Sequence, residues 1–186
     1  DEKWVLLTND DGIEAPGFER LVKALNVAKI PIVAFAPSQN KSACSMQLNL
    51  NTSIDLHQRS DLIEKWNLDE SHGVHLYALD GTPCDTMIVA LDGGLYNVLP
   101  HITPTLVLSG VNLGPNLSQD SYHSGTMGAA REAGLYGMPA VASSYTSFDV
   151  DGMDVSIAAT VEFIQHLLPL IPGVPQNLCR PHVDAE

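Results

Sequence analysis

Asp10 and Asp11 stand side by side, directly after the apolar run "WVLLT" (4–8) and directly before Gly12. Adjacent carboxylates repel each other unless something positive sits against them or one holds a proton. Three other stretches carry residues suited to the same chemistry. The segment after "IPIVAFAP" (30–37) supplies Asn40, Lys41, Ser42 and Ser45; "SGVNLGPN" (109–116) supplies Asn112 and Asn116; "HSGT" (123–126) opens a helical pattern. Hard oxygen donors of this kind suit Mg²⁺, Mn²⁺ or Ca²⁺ rather than Zn²⁺. Each stretch alone has a plainer reading. "DDG" after a strand is also an Asx-capped turn, "SGVNLGPN" is also Gly/Pro/Asn turn chemistry, and "HSGT" is also a helix cap. Taken together they point to a divalent cation against Asp10 and Asp11 and a metal-assisted reaction on an oxyanion. Phosphate is the natural oxyanion, because a helix N-terminus and a Gly-rich turn both cradle it.

The elements that must position these residues alternate. Strand-like apolar runs lie at 4–8, 30–37, 73–81, 104–110 and 139–144, and residues 48–56 alternate as short strands would. Helical spacing covers 16–28, 82–95, 123–137 and 154–171, with Thr82 as a cap and Pro83 just inside, while 60–71 reads as polar and irregular. Strands alternating with helices predict an α/β protein, a Rossmann-like three-layer fold with a mostly parallel sheet. No linker or repeat divides the chain, so residues 1–186 are read as a single domain. In such sheets ligands sit beyond the carboxyl ends of the strands, where the polar stretches fall.

Composition narrows the partners. The chain of 186 residues has 9 Lys and Arg against 22 Asp and Glu, a net charge of −13. Nucleic-acid polymers require a basic footprint and anionic membrane surfaces attract basic segments, so neither is an expected partner. No apolar run reaches membrane-spanning length. Cys44, Cys84 and Cys179 are odd in number and far apart, so neither a disulfide framework nor a CxxC metal site follows. The opening "DEKW" lacks a basic, apolar leader, and a cytoplasmic location is the expectation.

The stretches "LLTNDDGIEAPG", "NKSACS", "GTPCD", "SGVNLGPN" and "HSGTMGAAREAG" resemble, in order, the successive motifs of the SurE (survival protein E) family. The resemblance runs from residue 4 to about 170. It implies a metal-dependent 5′/3′-nucleotidase hydrolysing nucleoside monophosphates, a Rossmann-like core, a homo-dimer or homo-tetramer, and one Mg²⁺ or Mn²⁺ ion. It also implies a ligand set of two adjacent acids, a serine and an asparagine, matching Asp10, Asp11, Ser42 and Asn112. Two departures stand out. Ser38 replaces the aspartate usual after the second strand, and the chain ends at "CRPHVDAE", where the family continues into an oligomerising arm. The expectation is that the arm is absent or that the sequence stops short of it.

On this reading Asp10 and Asp11 hold the metal, and one of them takes a proton from the attacking water. Asn9, Ser109, Asn116, Ser124, Gly125 and Thr126 are assigned to the phosphate ester, where donors meet charge that builds in the transition state. His123 is the candidate to protonate the leaving oxygen. Lys41 reads as solvated and Cys44 as a bystander thiol. Tyr122 or Tyr145 could stack a base, though core or surface placement explains either equally well. Two rivals remain: a calcium-dependent nucleoside hydrolase, which needs more acids than the opening motif offers, and a nucleotide sensor without turnover. A dinucleotide site is weak, because "NDDG" stands where GxGxxG would.

Overall fold

The computed structural model describes residues 2–172. Cys179 and His182 lie outside them, as does the C-terminal end of the expected 1–186 domain. Six strands form one sheet: β1 (Trp4–Thr8), β2 (Ile32–Pro37), β3 (Leu56–Gln58), β4 (Val74–Leu79), β5 (Pro104–Asn112) and β6 (Ala140–Ser144). Their order is β3-β4-β2-β1-β5-β6, parallel throughout except for the antiparallel edge strand β3. The α/β, Rossmann-like expectation is met.

The central strands are apolar on both faces because helices cover both. All six residues of β2 and all nine of β5 are buried. Val5 and Leu7 of β1 point to one side, where α1 (Pro16–Val27) and α7 (Asp154–Leu167) supply Phe18, Leu21, Leu25, Ile157 and Ile164. Leu6 points to the other side, where α3 (Pro83–Val89) and α6 (Gly125–Leu135) supply Met87, Ala129 and Ala133. The chain leaves β1 toward β2 on one flank and returns through β5 on the other. The topological switch therefore lies between β1 and β5, the place where such sheets bind ligands.

Several expectations are corrected. The stretch 60–71 is not irregular: α2 (Ser60–Lys65) and a 3₁₀ turn (Glu70–His72) occupy it. Leu62 and Trp66, four residues apart, are buried in the core and anchor this turn of helix. Of the alternating 48–56 stretch only Leu56 enters a strand, β3. The 82–95 helix breaks at a wider turn, Ala90–Gly94, where Asp92 and Gly93 leave helical dihedrals, and resumes as the short α4 (Leu95–Val98). α5 (Asp120–His123), a single turn, precedes α6. The last helix ends at Leu167, and Pro169 falls in a terminal 3₁₀ turn (Leu168–Leu170).

The cap read at Thr82 is a full capping box. The Thr82 hydroxyl accepts from Asp85 N at 3.1 Å, and Asp85 accepts from Thr82 N at 2.8 Å. The same pair holds the segment crossing above it. Thr82 donates to the Gln47 carbonyl at 2.6 Å, and Asp85 receives the backbone and side-chain amides of Asn49 at 3.1 and 2.6 Å. Thr82→Ala removes both functions and is expected to cost about 1–2 kcal/mol in urea unfolding, with Thr82→Ser restoring most of it. A cost below a few tenths would show that the segment is held by other contacts.

Candidate active site

The site is assembled at the carboxyl ends of β1 and β5. Asp10 is 3 % exposed. Its carboxylate sits on the N-terminus of α6, where the Thr126 hydroxyl donates to Oδ1 at 2.8 Å and the backbone N–H groups of Gly125 and Thr126 donate as well. These are donors that a helix leaves unpaired, at the positive end of its dipole. Burial nevertheless outweighs them and holds the Asp10 carboxyl above its ordinary value. Asp11 is partly buried and accepts from Leu113 N at 3.2 Å through Oδ2. Burial, with a smaller contribution from the charge on Asp10, pushes its pKa up to about 6 against the Leu113 hydrogen bond. Neither acid has a salt-bridge partner among the described residues.

Asn112, the last residue of β5, donates from Nδ2 to the Gly114 carbonyl at 2.9 Å. That bond orients the amide, and Oδ1 has no hydrogen-bond partner among the described residues. The 38–47 loop closes the site from the side of β2. Lys41 N donates to the Asp10 carbonyl at 2.6 Å, and Ser45 N and Oγ donate to the carbonyls of His123 and Tyr122 at 2.9 and 2.6 Å. Two glycines of α6 allow this approach. A Cβ on Gly128 would fall 2.2 Å from the Ser45 carbonyl oxygen, and one on Gly125 would fall 2.8 Å from both Asp10 Cβ and Cys44 Sγ. Ser42, exposed on this loop, donates its N–H to Asn40 Oδ1 at 2.9 Å; its hydroxyl makes no hydrogen bond among the described residues. Ser38, the departure from the family pattern, hydrogen-bonds to Asp80.

Other predicted site residues have tasks that the sequence did not reveal. Asn9 is buried and commits both ends of its amide to Gly12, donating at 2.8 Å and accepting at 3.3 Å, so it shapes the acid-bearing turn rather than facing a substrate. Ser109 is fully enclosed beside Thr8, and its Oγ has no partner among the described residues; enclosure removes it from any surface an ester can touch. The Ser124 hydroxyl caps α6 by accepting from Met127 N at 3.1 Å, and Thr126 serves Asp10. Asn116 donates one amide hydrogen to Ser144 Oγ at 2.8 Å, which leaves a second. His123 is exposed at the end of α5, next to the α6 cap. Tyr145 packs against the core, whereas Tyr122 is 70 % exposed with the Arg131 guanidinium 5.7 Å from its ring centre.

The family model described as survival protein SurE matches residues 5–183. The chain belongs to the SurE family. A relative from Nostoc sp. strain PCC 7120 is 38 % identical over 183 residues, 96 % of this chain and 72 % of the relative. The 5′-nucleotidase SurE of Desulfitobacterium hafniense is 37 % identical over 173 residues, covering 91 % of this chain and 61 % of that protein. The 5′-nucleotidase SurE of Desulforudis audaxviator is 38 % identical over 167 residues, covering 90 % and 58 %. The crystal structure of the SurE protein from Aquifex aeolicus superposes with a TM-score of 0.72 at 28 % identity, over 92 % of this chain and 62 % of that one. The chain thus spans about three-fifths of the length of these SurE proteins.

The donors present in this SurE chain fit a hard divalent cation. Among the described residues the two carboxylates raised by burial have no salt-bridge partner, and at the end of β5 the Asn112 amide oxygen has no hydrogen-bond partner. The unopposed charge has a measurable cost. The folded Asp11 carboxyl binds its proton more tightly than the unfolded one, whose pKa is near 3.8. Its ionisation therefore destabilises the metal-free protein. The penalty is absent below pH 4, grows between pH 4 and 6, and is complete above. Asp11→Asn retains an acceptor for Leu113 N and should stabilise the metal-free protein by on the order of 2 kcal/mol at pH 8, after discounting for partial exposure. At pH 4 it should give nothing. Urea unfolding in EDTA at both pH values checks this, and an equal effect at both would show that Asp11 carries no ionisation penalty.

Proposed function

We propose that the protein is a divalent-metal-dependent 5′/3′-nucleotidase that hydrolyses nucleoside monophosphates to nucleoside and inorganic phosphate. The observation that carries this reading is the pair of buried Asp10 and partly buried Asp11, without a salt-bridge partner among the described residues, at the β1/β5 switch where Asn112 ends β5. The 5′-nucleotidase names of SurE relatives support the reaction class. Asp10, Asp11, Asn112 Oδ1 and the Ser42 hydroxyl would hold one Mg²⁺ or Mn²⁺. When bound, that ion neutralises phosphate charge and lowers the pKa of a water.

The chain's own groups divide the remaining work. Three donors at the α6 N-terminus fix Asp10, so its position does not depend on ligand. Asp11 receives a single protein hydrogen bond, from Leu113, which leaves it lone pairs to accept a proton from the attacking water. The second amide hydrogen of Asn116 is available to a phosphate oxygen. His123, exposed beside the α6 cap, supplies a proton to the departing ribose oxygen. The cytoplasmic location and the homo-dimer or homo-tetramer belong to the same proposal; no helix among the described residues is long and apolar enough to cross a membrane.

Phosphate release from AMP, GMP, CMP and 3′-AMP with Mg²⁺, Mn²⁺ or EDTA tests the reading. Activity with either metal and none in EDTA is expected; release of free base instead would favour a nucleoside hydrolase, and binding without release a sensor. In the same assay Asn112→Ala should raise the Mn²⁺ concentration for half-maximal rate about tenfold, in line with losing one oxygen from the site; an unchanged requirement would reduce Asn112 to a turn residue.

His123→Ala should lower kcat on AMP by about 10²-fold, the low end of the range for general acid catalysis. It should affect p-nitrophenyl phosphate far less, because that leaving group needs little protonation. Equal losses on both esters would remove His123 from the acid role.

A further inference from the structure

We propose that Phe148 is the platform on which the base of the nucleotide stacks. The proposal rests on the nucleotidase reading and names what holds the substrate beyond its phosphate. Phe148 is 77 % exposed, while Phe18 and Phe35 are buried in the core. Its ring is nonetheless seated. A Cβ on Gly114 would fall 2.5 Å from ring Cε1 and 3.1 Å from Cδ1, so the ring lies against the turn at a position that has room only because it is glycine. The Gly114 carbonyl is the acceptor that orients Asn112, so the ring is one hydrogen bond removed from a residue assigned to the metal.

Two bonds lock the loops that carry Phe148 and Gly114 together. Tyr145 N donates to the Asn112 carbonyl at 2.9 Å, and Asn116 Nδ2 donates to Ser144 Oγ at 2.8 Å. Phe148 therefore borders the strand switch on the β5–β6 side, with most of its surface open. The other aromatic side chains of this region are less suited. Tyr145 is packed against the core, and the Tyr122 ring has the Arg131 guanidinium over it. An open aromatic face stacks any base, so the occupant is the base of the nucleotide whose phosphate meets the strand switch.

The test compares kcat/KM for AMP with kcat/KM for ribose 5-phosphate, which offers the same phosphate without a base. In Phe148→Ala the ratio of the two should fall about tenfold, within the range that loss of one base–aromatic stack produces. Phe148→Tyr should keep the ratio within about twofold of wild type, since both rings stack. Calorimetric titration of adenosine in EDTA onto wild type and Phe148→Ala should show about tenfold weaker binding to the variant. An unchanged ratio, or a tyrosine variant as impaired as the alanine one, overturns the proposal. If wild type hydrolyses neither ester, the nucleotidase reading fails on its own, and the titration decides the platform: equal affinity for the two proteins, or no binding to wild type, overturns it.

Discussion

The carboxylate of Asp10 seated on the first turn of α6 is the constraint around which the rest of the site is arranged. It joins the end of β1 to a helix 115 residues further along the chain by one hydroxyl and two backbone donors. A short carboxylate can reach a helix terminus only if that terminus comes close, and the sequence of α6 shows how it does. Gly125 and Gly128 remove the side chains that would keep the 38–47 loop and Asp10 away. The loop then fixes itself by backbone bonds, Lys41 to Asp10 and Ser45 to His123. One buried charge thereby specifies the position of three segments distant in sequence.

Such an arrangement is costly without a cation. Hydrogen bonds to Asp10 offset part of the desolvation of its charge, yet both acids remain harder to ionise than in water. Well-packed apolar residues would fill the same space at lower cost. The protein instead places two acids together in a chain already carrying a net charge of −13. Stability is given up at this point, as is common at functional sites.

What could be read from the sequence follows from what is local. Asp10 and Asp11 were legible because an apolar run names a strand, and residues after a parallel strand fall at the ligand-binding edge. Thr82 was legible because a capping box is complete within four residues. Asn9 was not, since its partner Gly12 is reached only through the turn it shapes. The assignment of Thr126 and Ser124 to phosphate failed to anticipate that a carboxylate of the same chain meets the helix first. The helix at Ser60–Lys65 was hidden by its polar composition, because few side chains, chiefly Leu62, Ile63 and Trp66, hold it to the core. Phe148 carried no signal at all, for its seat on Gly114 joins two loops after different strands.

The division between rigid and adaptable parts follows the same lines. Asp10, Asp11 and Asn112 stand at or next to the ends of strands whose residues are buried on both faces, so the groups that meet charge have little freedom to move. His123 and Phe148 are exposed on a one-turn helix and a loop around that edge. Charge stabilisation is sensitive to position, because hydrogen-bond and ligand distances have narrow optima. Contacts to a leaving group or a base tolerate more variation, since stacking and proton donation adjust to the ligand. With the acids just past the strand ends and the exposed residues on the rim, loop sequences can change what is bound without moving the acids.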